Sequence, residues 1–387
     1  MKTQQLTKNC IHLYPSVAKV AFFILTTLFF PVLNALAQPA EQNAYARFLN
    51  NGLEQMKAAD YHGALNSFEQ ARRHNDSAAA AHLGLGIAYF HLRNDQDAER
   101  ELNRALAINP REVLAYQFLG ELYYRKDDID SAASYWEKAL ALDPSASGLR
   151  DRLERVRKEH TTEKDFNRDV TVHFLVKYEG REKIEDGRIV LRILEDAYGE
   201  IGRALSYYPD HEIQVILYSD QQFQEVTDAP GWSDGIYDGK IRIPIGGIEN
   251  KTQGLRRTLY HEYTHAVVRA ITPRVPTWLN EGLAQYFEGR EIDERQKEIL
   301  RRIAQAGKLP PLSSLEGSFM KFGSEQAVFA YLISLSSVRY MIDSFGIYRV
   351  KDVLEELAGG ADTGNAISKS ITFSYEEFDS NWRRSLE

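Results

Sequence analysis

The spacing of apolar positions divides the chain into stretches of different texture. Lys2, Lys8 and Lys19 precede an apolar run from Val20 to Leu33. From Tyr45 to Ala146, apolar and small residues return every 34 positions: Gly52, Gly86 and Gly120; Ala64, Ala98 and Ala132; Ala71, Ala105 and Ala139. Phe68, Leu102 and Trp136 hold the equivalent large position, and Tyr89 matches Tyr123. The pattern predicts three units, Tyr45–Ala78, Ala79–Glu112 and Val113–Ala146, each a pair of antiparallel helices. Small residues allow the helices of a unit to approach, and the large ones fill between units. The first unit has Asn51 where the others have Leu85 and Leu119, as an outer cap would. Leu149 to Arg157 reads as a charged capping helix with an apolar stripe, and Lys158 to Asn167 as a polar linker.

From Asp169 the period changes. Val170–Lys177 and Glu212–Tyr218 are predicted strands, with a helix from Arg188 to Leu205 between them. Lys240–Ile245 alternates polar and apolar residues, and its Pro244 suits an edge strand. Arg256–Ala270 contains neither Gly nor Pro and reads as helix, as does Thr277–Glu288 after Pro273 and Pro276. The remainder is mostly helical, including Glu325–Phe345, Val350–Leu357 and Tyr375–Leu386. The expected layout is a targeting segment (1–37), the repeats (45–146), a capping helix and linker (147–167), and an α+β domain (168–387).

Chemistry concentrates in His261-Glu262-Tyr263-Thr264-His265. On a helix, positions i and i+4 share a face, so two imidazoles can hold one Zn²⁺ while Glu262 projects beside them toward metal-bound water. Zinc lowers the pKa of that water to about 7, within reach of a carboxylate base. With 10 His and 55 Asp+Glu in 387 residues, a random His-acid-x-x-His match has roughly a 4% expectation, so the residues that follow carry more weight. A catalytic zinc has three protein ligands and an open position. No histidine follows His265 and the only cysteine is Cys10, so a downstream third ligand must be a carboxylate. Glu281 sits among Trp278, Leu279, Gly282 and Leu283, where a charge is costly unless paired or bound to metal. Gly282 leaves room for another helix to pack closely.

HEYTH followed by VPTWLNEGLAQYFEG resembles the gluzincin arrangement and, more closely, the bacterial peptidase MA-like domains, often joined to tetratricopeptide repeats. The repeat units match that repeat family in period and pattern. The resemblance runs from about Asp169 onward, with its specific motifs between Gly235 and Glu288. It implies a gluzincin-like α+β metallopeptidase preceded by an all-α solenoid, with His261, His265 and Glu281 binding one Zn²⁺ per chain and Glu262 as the base. It also implies that Lys240–Ile245 is the edge strand pairing with an extended peptide, and that Tyr331 donates to the developing oxyanion. Gln285 stands where some gluzincins carry an acid that orients a histidine, and its carbonyl is expected to accept that bond instead. His173 and His211 are expected to be a strand and a turn histidine rather than ligands.

The net charge of −8, with no basic domain, argues against nucleic acid as a partner. The expected partners are a peptide or protein substrate and a protein held by the repeats. Ala35-Leu36-Ala37 is a cleavage signal, and cleavage would remove Cys10 and three lysines, taking the charge to −11 and leaving no cysteine for disulfides. The expected location is periplasmic or secreted, with no membrane span after cleavage. An uncleaved N-terminal anchor is the rival, since the apolar run approaches the roughly 17 residues a spanning helix needs. Rival functions are a zinc amidase acting on cell-wall material and a catalytically idle repeat scaffold. Mass measurement of protein expressed in a secreting bacterial host should find a chain starting at Gln38; retention of Met1 to Ala37 would favour the anchor.

Overall fold

The computed structural model describes residues 40–146, 148–180, 184–227, 235–245, 252–319 and 322–386. The targeting segment and Cys10 lie outside the described residues. The chain forms two compact units that divide between Thr161 and Thr162. In the first, helices α1 (Ala40–Lys57), α2 (Tyr61–His74), α3 (Ala79–His91), α4 (Asp95–Ile108), α5 (Val113–Arg125) and α6 (Ile129–Leu142) form three hairpins, followed by α7 (Leu149–Glu163), whose last two residues belong to the second unit. The 34-residue period has a direct packing cause. A Cβ at Gly52, Gly86 or Gly120 would collide with Phe68, Leu102 or Trp136, each sixteen residues further on and fully buried. The hairpin turns repeat as well. Asp60, Asn94 and Asp128 cap α2, α4 and α6 through their side chains. The preceding Ala59, Arg93 and Asp127 all have positive φ, although none is glycine. Asn51 is exposed, whereas Leu85 and Leu119 are buried.

The second unit is built on a five-stranded sheet of order β1-β2-β3-β5-β4. Its strands are β1 (Asn167–Val170), β2 (Phe174–Tyr178), β3 (Ile213–Tyr218), β4 (Ile236–Tyr237) and β5 (Ile241–Pro244). The three central strands run parallel, and the outer pairs are antiparallel. One face, with Phe174, Val176, Val215, Leu217, Ile241 and Ile243, packs in a core shared with α8 (Ile184–Leu205) and α10 (Thr252–Ile271). The other face packs Ile216 and Tyr218 with Phe166 and with Phe223 and Val226 of α9 (Asp220–Thr227). Both faces are covered, so the strands read as apolar runs rather than clean alternations. The remaining helices are α11 (Thr277–Phe287), α12 (Glu294–Gln305), α13 (Ser324–Phe345), α14 (Ile347–Ala358), α15 (Thr363–Ile371) and α16 (Tyr375–Ser385).

Three expectations are corrected. Val170–Lys177 is not one strand: Thr171 turns the chain, its Oγ1 accepting from the Phe174 N–H (3.1 Å), so β1 and β2 form a hairpin. The predicted linker Lys158–Asn167 does contain the division between the two units, but it is not an open loop: it is helical to Glu163 and then enters β1. Glu163 is buried and ion-paired to Lys177 (3.2 Å) and Arg242 (3.5 Å), which is why so polar a stretch is ordered. Lys240–Ile245 is not the edge either. β5 pairs with β3 on one side and with β4 on the other, so among the described residues the outermost strand on this side of the sheet is Ile236–Tyr237.

His91, the last residue of α3, stacks on Tyr61 with ring centroids 4.5 Å apart and meets the edges of Phe90 and Phe118. Burial, assisted by the cations of Arg125 and Arg93, pulls its pKa from 6.5 down to about 4. The unfolded chain therefore takes up this proton at a higher pH than the folded one. The repeat unit should lose stability as pH falls from about 6.5 to about 4, and His91→Phe should flatten that dependence. Denaturant melts of both proteins across this range check it; parallel pH profiles would reject it.

Candidate metal centre

Helix α10 runs without a break through His261 and His265, and both rings project from its buried face with centroids 4.8 Å apart. Helix α11 follows after Pro276 and is buried from Trp278 to Gln285, which presents Glu281 to the same point. Glu281 Oε2 lies 3.6 Å from His261 Nε2 and 3.6 Å from His265 Nε2. One donor atom from each residue falls within 4.8 Å of the others, and all three residues are buried. This is the only such group of His, Cys, Asp and Glu found among the described residues.

The donor set fits a zinc ion. Ligands around tetrahedral zinc stand roughly 3.3 Å apart, slightly beyond hydrogen-bond length, and the two separations from Glu281 match that spacing. Neither His261 Nε2 nor Glu281 Oε2 has a hydrogen-bond partner among the described residues, although both are shielded from water. Burial opposes charge on His261, but the carboxylates of Glu281 and Glu288 prevail and push its pKa up to about 10. Burial raises the Glu281 carboxyl above its ordinary value, with His261 opposing. The protein groups thus draw positive charge to this point.

Glu262 is fully buried on α10 between the two histidines. A Cβ at Gly235, just before β4, would lie 3.1 Å from Glu262 Cγ and 2.9 Å from Thr258 Cγ2. Only a residue without a side chain lets the edge strand enter this close to the carboxylate. Tyr331 is buried on α13, its ring edge-on to Phe319 at 5.5 Å. His173 bonds to Glu195 (2.7 Å) and stacks on Tyr198, and neither it nor His211 joins the cluster.

The expectation for Gln285 is corrected. Its Nε2 donates to the main-chain oxygens of Glu281 (3.2 Å) and Tyr331 (2.9 Å), and its Oε1 accepts from Arg290 (3.3 Å). It ties α11 to α13 and does not orient a histidine. That position is taken by Glu288, which sequence reasoning missed: its Oε2 lies 2.7 Å from His261 Nδ1. Two signals were available. Glu288 lies two turns after Glu281 on the same helical face, and a carboxylate at a helix C-terminus faces the unfavourable end of the dipole unless something holds it there.

Comparison with known proteins agrees with this architecture. Residues 203–387 match the Peptidase MA superfamily, and residues 49–113 and 113–146 match tetratricopeptide repeats. Among curated proteins, a DnaJ homolog subfamily C member 7 homolog of Schizosaccharomyces pombe is 25% identical over 156 residues, 39% of this chain and 29% of that protein. Anaphase-promoting complex subunit 3 of the same yeast is 29% identical over 105 residues, 27% of this chain and 16% of that protein. The chain thus spans less than a third of the length of these relatives. Among solved structures, the Arabidopsis OM64 TPR domain aligns at 23% identity over 31% of this chain and 99% of its own, with a TM-score of 0.30.

Helix α13 crosses α11 at Gly282, where a Cβ would stand 2.3 Å from the Ser334 carbonyl oxygen and 2.5 Å from Val338 Cγ2. Backbone cannot yield as a flexible side chain can, so Gly282→Ala should force the helices apart next to Glu281. A loss of about 1–3 kcal/mol is expected. Thermal unfolding of the variant measures this, and an unchanged melting temperature would mean that the crossing is not fixed by this contact.

Proposed function

We propose that this chain, a Peptidase MA superfamily domain preceded by tetratricopeptide repeats, is an exported zinc-dependent peptidase. The observation that carries the reading is the convergence of His261 Nε2, His265 Nε2 and Glu281 Oε2 on one buried point beside Glu262. Those three atoms would hold the ion. Bound zinc would polarise the scissile carbonyl and lower the pKa of a water. Glu262 takes the proton from that water and delivers it to the nitrogen of the leaving amine. Its burial keeps competing solvent away from the transfer. Tyr331 serves as the oxyanion donor through its phenolic O–H.

An extended peptide would add to the sheet along Ile236–Tyr237, the edge beside Glu262, with main-chain hydrogen bonds giving modest side-chain selectivity. The repeats would hold a protein partner or deliver substrate. Because a solenoid supplies binding and local concentration rather than chemistry, its surface should matter for the physiological target more than for short peptides. Among the described residues no helix is long and apolar enough to cross a membrane.

Purified wild-type protein should carry about one zinc per chain. Glu281→Ala should lose zinc affinity steeply, because two histidines leave the ion under-coordinated. Glu262→Gln should retain zinc and fold while turnover of an unstructured peptide falls by about 10²–10⁴-fold. Metal analysis together with kcat/KM decides it. Unchanged turnover in Glu262→Gln would remove the mechanism, and activity confined to cell-wall fragments would favour the amidase reading.

A further inference from the structure

Beyond its ligands, the centre has a supporting structure that the peptidase chemistry does not itself require. Helix α11 ends at Glu288, and Gly289, with φ +75°, reverses the chain. The Gly289 and Arg290 N–H groups close the turn on the Tyr286 and Gln285 carbonyls at 3.1 and 3.0 Å. A residue with a side chain would be strained at that φ, so the glycine lets Arg290 fold back over the helix end. The Arg290 Nε then lies 3.1 Å from Glu288 Oε1, while Oε2 of the same carboxylate faces His261 Nδ1 at 2.7 Å. Arg290 also donates to Gln285, whose amide reaches the carbonyls of Glu281 and Tyr331. Arg339 in turn donates to the Arg290 carbonyl.

We propose that Glu288 and Arg290 act as a positioning pair for the metal ligand His261. The proposal rests on the zinc reading above. Glu288 bonded at Nδ1 fixes the orientation of the ring, so that Nε2 stands on the side of Glu281 and His265, where the ion would be held. Arg290 neutralises a carboxylate placed at the negative end of its own helix and fixes which oxygen meets the ring. Arg290 therefore acts on His261 only through Glu288. The Gln285 bridge extends the same network to the backbone of Glu281 and Tyr331, so that ligand and proposed oxyanion donor share one support.

The test is zinc affinity of the full chain, measured by competition with a chelator, and the visible absorption of the Co²⁺-substituted protein. Glu288→Gln should weaken zinc about 10–100-fold and shift the cobalt bands. Arg290→Ala should weaken zinc less, and should add nothing in the Glu288→Gln background, because the two act in series. Wild-type affinity and an unshifted cobalt spectrum in Glu288→Gln would overturn the proposal, as would additive losses in the double variant. If Glu288→Gln does not fold, Arg290→Ala alone decides, since that side chain is partly exposed: unchanged zinc affinity rejects the pair. Failure of the wild-type chain to bind zinc would be a separate result and would sink the metal reading itself.

Discussion

Two imidazoles and a carboxylate held around one buried point impose the constraint on which the second unit depends. Each group is expensive to bury alone, and bringing them within 4.8 Å requires two helices to present them at fixed depth. Helix α10 provides both histidines by its own pitch. The position of α11 has no such internal guarantee and is set from behind, where Gly282 admits the backbone of α13. The location of Glu281 is therefore a consequence of helix packing at the very next residue of α11.

The same logic of compensated burial operates on the opposite face of the sheet. Arg242 has no exposed surface, yet its guanidinium meets Asp238, Tyr218 and Glu163. Lys177, equally buried, shares Glu163. Removing one member would leave a buried charge without its counterion, whereas the intact set is mutually satisfied. Asp238 belongs to the turn between β4 and β5, so this network also braces the hairpin whose outer strand passes beside Glu262.

The repeat unit follows a different principle. Gly52, Gly86 and Gly120 each accommodate a large side chain sixteen residues later, each hairpin turn carries a capping Asp or Asn, and each places a non-glycine residue at positive φ. Left-handed backbone at Ala59, Arg93 and Asp127 is unfavourable by itself, and its recurrence at one position shows that hairpin packing repeatedly outweighs it.

The local rules of the chain were enough for its periodic parts. A spacing of 34 with small and large residues in register determined the three helical hairpins, since each depends on contacts within or next to its own unit. The helical i, i+4 relation determined that His261 and His265 share a face, and the shortage of other ligand types pointed to Glu281. What the sequence did not determine depends on distance along the chain. Lys240–Ile245 has the texture of an edge, but an edge is defined by whether another strand lies outside it, and Ile236–Tyr237 does. The stretch 158–167 is polar enough for a linker, yet Glu163 is held by Lys177 and Arg242, far along the sequence. Gln285 and Glu288 lie on one helix, and only the placement of His261, Tyr331 and Arg290 around it decided which of them orients the histidine. Hydrogen bonds of that kind form after helices have docked, so tertiary structure alone assigns them.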